Sequence, residues 1–374
     1  MQIPKYKLPY SDEDIKYVQE NISDVLKLGY LTDGGEYVKE FEEHWSDIVG
    51  VDYSIAVNSC TTALELILKC IEVENHSVIV PTYTFFATPL SVHNSGGTVI
   101  YSDVSRDTMS IGLEDIKRNL QEDTKAVMIV HVGGIVSDEL EKIRYFCDDR
   151  GIYLIEDAAC AAGGYFNGKH VGSFGHASAF SFHHSKVLTT GEGGMITTDS
   201  VSFDKKIREM RAIGLNREIN NWEVFQIGNN YKMHEITAVL GNLHCKKAND
   251  IFAERQRVAD FYDKNINFNS RLKKLAIPSE TKSANYKYVT IAQSRQFKNH
   301  FINEMKDSYD IHLPPTTYEY LCHEQKINSK ISCIFDKSFN NARYLMEHNI
   351  CLPMYCGLQK EELHYIADCV NKLL

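Results

Sequence analysis

From residue 50 onward the chain alternates two hydrophobic patterns. Short apolar runs recur as SIAVN (54–58), SVIVP (77–81), TVIYSDV (98–104), AVMIVHV (126–132) and YLIEDA (153–158). Between them lie stretches with helical spacing, such as TALELILKCI (62–71) and DELEKIRYFCDDRG (138–151). Apolar strands alternating with amphipathic helices predict a largely parallel sheet covered on both faces. Two further runs, SAFSF (178–182) and GGMITTD (193–199), bracket a turn rich in Gly and Thr and bring the predicted sheet to seven strands.

Before residue 50 the pattern is helix, turn, helix. SDEDIKYVQENISDVLK starts with a capping-type signal, GYLTDGG breaks the spacing, and EYVKEFEEHWSDIV resumes it. Residues 234–263 read as one long helix or two in series. Beyond them a strand (YKYVTIAQ), a helix (FKNHFINEMKDSY) and a terminal helix (QKEELHYIADCVNKLL) predict a small α+β domain. The expected division is a large domain over 1–248 and a small one over 249–374.

Bulk properties narrow the class. Of 374 residues, 43% are hydrophobic and 24% charged, which is ordinary for a globular chain with a sizeable core. No apolar run reaches the length of a membrane helix, and the first residues lack the marks of a secretory or transit leader, so a cytoplasmic location is expected. A net charge of −10 disfavours nucleic acid as a partner. The ten cysteines are scattered and form no CxxC pair, which fits free thiols in a reducing compartment rather than a metal or disulfide framework.

The residues with chemistry gather just after strands: Asn58 to Thr62, Thr82 to Phe86, Asp103, His131 and Asp157. In open α/β sheets, ligands bind at the carboxyl ends of strands. In SFHHSKVLTTGEGG (181–194), Lys186 follows a strand and precedes Gly191, Gly193 and Gly194. A lysine held in a sheltered pocket can lose its proton and act as a nucleophile in Schiff-base chemistry. Asp157, at the end of YLIED, either caps a helix or pairs with a protonated pyridine nitrogen. In VNSCTTALELIL (57–68), a strand runs into a helix start. That is either an ordinary cap or a phosphate cradle using Thr61, Thr62 and free N–H groups. The two aromatics in PTYTFFATP (81–89) belong to the core, or one of them stacks on a flat ring.

The motifs GYLTDGG, SCTTALEL, PTYTFFAT, EDAACAAGG, SFHHSKVLTTGEGGMITTD, GNNYKMHEITAVLG and CLPMYCGL occur in order over nearly the whole chain. With them the sequence resembles the DegT/DnrJ/EryC1/StrS family of sugar aminotransferases, pyridoxal-phosphate enzymes of fold type I. The resemblance implies that Lys186 carries the Schiff base and shuttles a proton, and that Asp157 pairs with the pyridine nitrogen. It implies that Phe85 stacks on the ring, and that Thr61, Thr62 and Ser181 contact the phosphate. Asn230 would reach the phosphate bound by the other subunit, making a homodimer part of the site. Cys60 stands in the cradle where the family commonly has Gly. Cys160 stands near the cofactor's ring hydroxyl where Gln is common. Gly35 replaces a Pro, and Lys232 an Arg. A dehydratase branch has His in place of the lysine, and Lys186 argues against it.

The implied reaction moves an amino group from L-glutamate, or a similar amino acid, to a ketone. The implied acceptor is a nucleotide-linked or phosphorylated sugar for surface polysaccharide or glycan synthesis. Tyr30, His183, Tyr318 and His323 are candidate substrate contacts. The segment HLPPTTYEYLCHEQ (312–325) departs from the family's common form, which keeps a small ketose phosphate such as dihydroxyacetone phosphate open as acceptor. A non-catalytic regulator and a decarboxylase on the same cofactor are the readings from other classes.

Overall fold

In the computed structural model, which describes residues 1–32, 35–215, 223–335 and 338–374, helices α1 (Asp12–Leu28) and α2 (Tyr37–Val49) open the chain. The start of α1 is a capping box. The Ser11 hydroxyl accepts from Asp14 N at 3.2 Å, and the Asp14 carboxylate accepts from Ser11 N at 2.9 Å. Two N–H groups that the helix itself cannot satisfy are thereby paired. Asp33 and Gly34, in the turn predicted from GYLTDGG, lie outside the described residues.

The seven predicted strands form: β1 (Tyr53–Val57), β2 (Ser77–Pro81), β3 (Thr98–Ser102), β4 (Thr124–Val130), β5 (Tyr153–Asp157), β6 (Ala177–Ser181) and β7 (Gly194–Thr198). They lie side by side in the order β1-β7-β6-β5-β4-β2-β3. Only β7 runs against its neighbours, β1 and β6. The connecting helices are α3 (Cys60–Cys70), α4 (Ala87–Asn94), α5 (Leu113–Asn119) and α6 (Leu140–Arg150). Alternate strand residues feed two separate cores. Val78 and Val80 join Leu64 and Ile67 of α3, whereas Ile79 joins Phe41 and Trp45 of α2 and Ile143 of α6. That is why SVIVP has no polar position: both of its faces are covered. The strand order reverses between β2 and β4, with β3 on one side and β5 and β6 on the other. Such a reversal opens a crevice at the carboxyl ends of the strands.

After β7 come α7 (Val201–Arg211), α8 (Glu235–Lys246) and α9 (Ala248–Asn265). The stretch predicted as one or two helices is two, broken at Lys247, where ψ is 5°. Then follow β8 (Leu272–Lys274), β9 (Tyr288–Ala292), α10 (Arg295–Asp307), β10 (Cys333–Phe335), α11 (Asn340–His348), β11 (Asn349–Leu352) and α12 (Lys360–Leu373). Strands β8, β9 and β11 make a small antiparallel sheet. It shares a core in which Val258, Tyr262, Phe301, Ile350 and Ile366 meet.

Two segments cross the division expected at 248/249. Ile3 is fully buried in the small core, and its backbone bonds to Asp310 and His312, each at 3.0 Å. In the other direction β10 leaves the C-terminal part and adds an eighth strand to the large sheet, parallel to β3. No described helix is long and apolar enough to cross a membrane.

Candidate active site

At the carboxyl end of the sheet lies a cavity of about 640 Å³, shared between the large sheet's loops and the small domain. Lys186 reaches it from the loop between β6 and β7. Phe182 O accepts from Thr190 N at 2.9 Å and from the Thr189 hydroxyl at 3.0 Å, while Lys186 N donates to His183 O at 2.9 Å. Gly191 turns the chain at φ 84°. Gly194 has another reason to be glycine: a Cβ there would stand 2.4 Å from the Ser59 carbonyl. The lysine loop and the start of α3 are thus pressed together.

The Lys186 ammonium donates to Cys160 Sγ at 3.1 Å and lies 4.9 Å from the centre of the Tyr286 ring. Burial works to strip the proton from this amine. The Cys160 sulfur and the Tyr286 phenol pull the other way and prevail, holding Lys186 above its ordinary value.

Asp157 ends β5 and is 5% exposed. Its Oδ2 accepts from the Thr88 hydroxyl at 2.8 Å, and its Oδ1 from Ala159 N at 3.2 Å. Burial raises its carboxyl above the ordinary value, against the hydrogen bonds from Thr88 and Ala159. Among the described residues it has no ion-pair partner. A buried, oriented carboxylate that lines the cavity without an ion-pair partner suits a protonated ring nitrogen.

The helix start at 59–62 serves both purposes considered for it. Ser59 caps α3: its hydroxyl accepts from Thr62 N at 3.1 Å. The Thr62 hydroxyl donates to Asn58 Oδ1 at 2.8 Å, and Thr62 does not line the cavity. Its N–H is thus taken by the Ser59 cap and its hydroxyl by Asn58. Ser59, Cys60, Thr61 and Ser181 do line the cavity. The N–H groups of Cys60 and Thr61, in the first turn, have no carbonyl to bond within the helix. Together, at the positive end of the helix dipole, these groups suit an anion. Phe85 lines the cavity, is half exposed, and stacks on Phe86 with ring centres 4.2 Å apart.

Of the four candidate substrate contacts, Tyr318 and His183 line the cavity. His183 is held by the Ser185 hydroxyl at 3.0 Å. His323 does not line it. Its Nδ1 bonds the Thr82 hydroxyl at 2.6 Å and its ring packs 4.2 Å from that of Phe339, so it braces the C-terminal segment against the sheet. Tyr30 is exposed and also stands outside the cavity of its own chain, as does Asn230. Asp103 caps α11 by accepting from Asn341 and Ala342 N–H groups at 3.0 and 2.8 Å. His131 is buried against Glu156 at 3.0 Å. Neither reaches the cavity. Sequence reasoning missed Tyr286, Arg255 and the segment Lys5–Leu8, all of which line it.

Residues 12–371 match the model of the DegT/DnrJ/EryC1/StrS aminotransferase family. The chain belongs to that family. Among its relatives, GDP-perosamine synthase of Escherichia coli O157:H7 is 28% identical, with 99% of this chain and 98% of that protein aligned. The solved structure of Helicobacter pylori PseC, an aminotransferase involved in pseudaminic acid biosynthesis, superposes with a TM-score of 0.90 at 26% identity, covering 100% of this chain and 99% of the other. The sugar aminotransferase Spr1654 of Streptococcus pneumoniae, solved in its PMP form, gives 0.88 at 25% identity, covering 100% and 98%. The enzyme is a pyridoxal-phosphate-dependent sugar aminotransferase of fold type I.

The residues present fit that cofactor. The uncompensated Asp157 carboxylate suits the ring nitrogen, the α3 cradle suits the phosphate, and the Lys186 amine stands in the same cavity. Bound there, pyridoxal phosphate supplies an aldehyde that carries the amino group and a ring that takes up electron density. Asp157, aimed by Thr88 and Ala159, would keep the ring nitrogen positive. With the cofactor held there, the Lys186 amine would be placed to take a proton from the reacting carbon and return one to it, which would require its own proton to be gone first.

Proposed function

We propose that this aminotransferase transfers the amino group of L-glutamate to the keto group of a nucleotide-linked sugar destined for a surface polysaccharide or glycan. The observation that carries this reading is the cavity itself. Its volume of about 640 Å³ leaves ample room beyond Lys186 and Asp157, and its far wall is built by Pro314 to Tyr320 with Lys287. Known ligand pockets of roughly 300–1,000 Å³ enclose ligands of drug size or larger. A small ketose phosphate would leave most of this wall untouched. The names of the relatives, GDP-perosamine synthase among them, support the same acceptor class.

The working unit in this proposal is a homodimer. Asn230 stands outside the cavity of its own chain, where a residue serving the partner's phosphate would stand. Exposed apolar residues Leu31, Ile213, Val224, Phe225 and Ile227 support a covered face around it; Ile227 is 93% exposed. The strand-like links Ala212 to Asn230 and Leu215 to Val224 bring Ile213, Val224, Phe225 and Ile227 together on one segment. Tyr30, on that same side through the Leu31–Glu235 hydrogen bond, then becomes a contact to the partner's substrate. We place the enzyme in the cytoplasm, which its ten free cysteines support.

The test is an acceptor screen with ¹⁵N-labelled glutamate. Nucleotide-linked 4-keto sugars are expected to take up the label with kcat/KM at least about tenfold above that for dihydroxyacetone phosphate, a gap of about 1.4 kcal/mol in transition-state binding. Label transfer to ketose phosphates alone would overturn the assignment.

A further inference from the structure

A buried arginine faces the cavity with no acid to match it. Arg255, on α9, is 6% exposed. Its Nη1 donates to two main-chain oxygens, Asn285 O at 3.2 Å and Met354 O at 2.9 Å. Its Nε is shut off from solvent without a partner. Among the described residues, Nη2 bonds nothing, and no carboxylate comes within ion-pair distance of the guanidinium. Burial lowers this guanidinium below its ordinary value, with only the nearby Cys356 and Tyr286 opposing. A charge this deep is ordinarily paired, because its lost hydration needs replacing.

Arg255 also stands at a junction. It lines both the main cavity and a second chamber of about 220 Å³, and so do Lys186, Lys7, Leu8 and Tyr355. The smaller chamber therefore opens beside the reactive amine. Its other charges are largely spoken for: Asp14 pairs with Lys247 at 2.7 Å, and Glu254 with Arg257 at 2.7 Å. Asp250 sits exposed at the rim. Lys7 has no ion-pair partner among the described residues.

We propose that Arg255, assisted by Lys7, is the subsite for a carboxylate of the amino donor. This rests on the reading that the protein is a transaminase fed by an amino acid. The donor must present its amino-bearing carbon at Lys186, which leaves its carboxylates within reach of groups lining the same space. A planar guanidinium with a free edge suits a carboxylate. A chamber of this size admits a group of a few atoms and excludes a nucleotide. The acceptor's phosphates share the anionic chemistry, so the experiment separates the two sources.

The holoenzyme is titrated with glutarate, an unreactive dicarboxylate, and separately with inorganic phosphate, following the cofactor's absorbance and the heat of binding. Arg255→Gln and Arg255→Lys are expected to weaken glutarate at least about tenfold, and Lys7→Ala about threefold. Phosphate affinity and the acceptor's KM should stay within about twofold. Unchanged glutarate affinity in Arg255→Gln that still binds cofactor overturns the proposal, as does a loss confined to phosphate. Should the buried Arg255 variants fail to fold, the exposed Lys7→Ala decides, and unchanged glutarate binding there overturns it. A wild-type holoenzyme whose spectrum no amino acid alters would instead defeat the transaminase reading. One that reacts with amino acids while glutarate binds all variants alike defeats only the subsite.

Discussion

At the scale of residues, Lys186 and Asp157 are both held above their ordinary values in the chain alone, the lysine by Cys160 and Tyr286 against its burial and the aspartate by burial. Lys186→Ala is expected to abolish the cofactor's Schiff-base absorbance and cut transamination by roughly 10²–10⁴-fold, the usual share of a positioned acid–base group; stopped-flow spectroscopy measures both. Asp157→Asn separates stability from binding. The folded carboxyl titrates above its unfolded value, so stability falls as pH rises through that window and stays lower above it. The cofactor-free Asn variant should therefore melt at a higher temperature than wild type at pH 7. The gap should close as pH falls below about 4, near the unfolded aspartate value. Its affinity for the cofactor should drop. Calorimetry across pH, with equilibrium dialysis, checks the pair. Both residues were legible in the sequence because each ends a strand pattern beside a turn. Arg255 and Tyr286 were not. An arginine in an amphipathic helix reads as solvated, and a tyrosine before YVTIA reads as core. His323 misled because its partner Thr82 lies 241 positions away.

Elements carry the next level of precision. The phosphate cradle exists because α3 starts where Gly194 lets β7 approach. Gly194→Ala puts a Cβ 2.4 Å from the Ser59 carbonyl, so backbone must shift. The expected cost is about 1–3 kcal/mol, as for other overpacked sites. Cofactor retention should suffer too, since the displaced turn is the cradle. Ser59→Ala, which removes only the cap, should cost about 1 kcal/mol. Urea unfolding of the two variants, alongside cofactor release rates, distinguishes crowding from loss of the cap. The large elements were readable from period alone: all seven sheet strands appear within about two residues of their apolar runs. Strand β10 was not, because three residues carry no alternation. Its place is set by β3, already formed more than 200 residues earlier in the chain.

For the whole molecule, the proposed sharing of the site between two chains makes a test of assembly. Asn230→Ala is expected to speed cofactor release about tenfold, although Asn230 lies outside the cavity of its own chain. Mixing Lys186→Ala with Asn230→Ala chains should rebuild one intact site per hybrid dimer, and so recover slow release together with activity. Sedimentation showing a monomer that holds the cofactor tightly would rule out the shared site. Domain organisation was less legible than the sheet, because the crossing segments are short and far from the elements they join. One of them has a practical bearing. With Ile3 locked into the small core and Lys5–Leu8 passing along the cavity wall, trimming the first residues would cost both stability and the shape of the cavity.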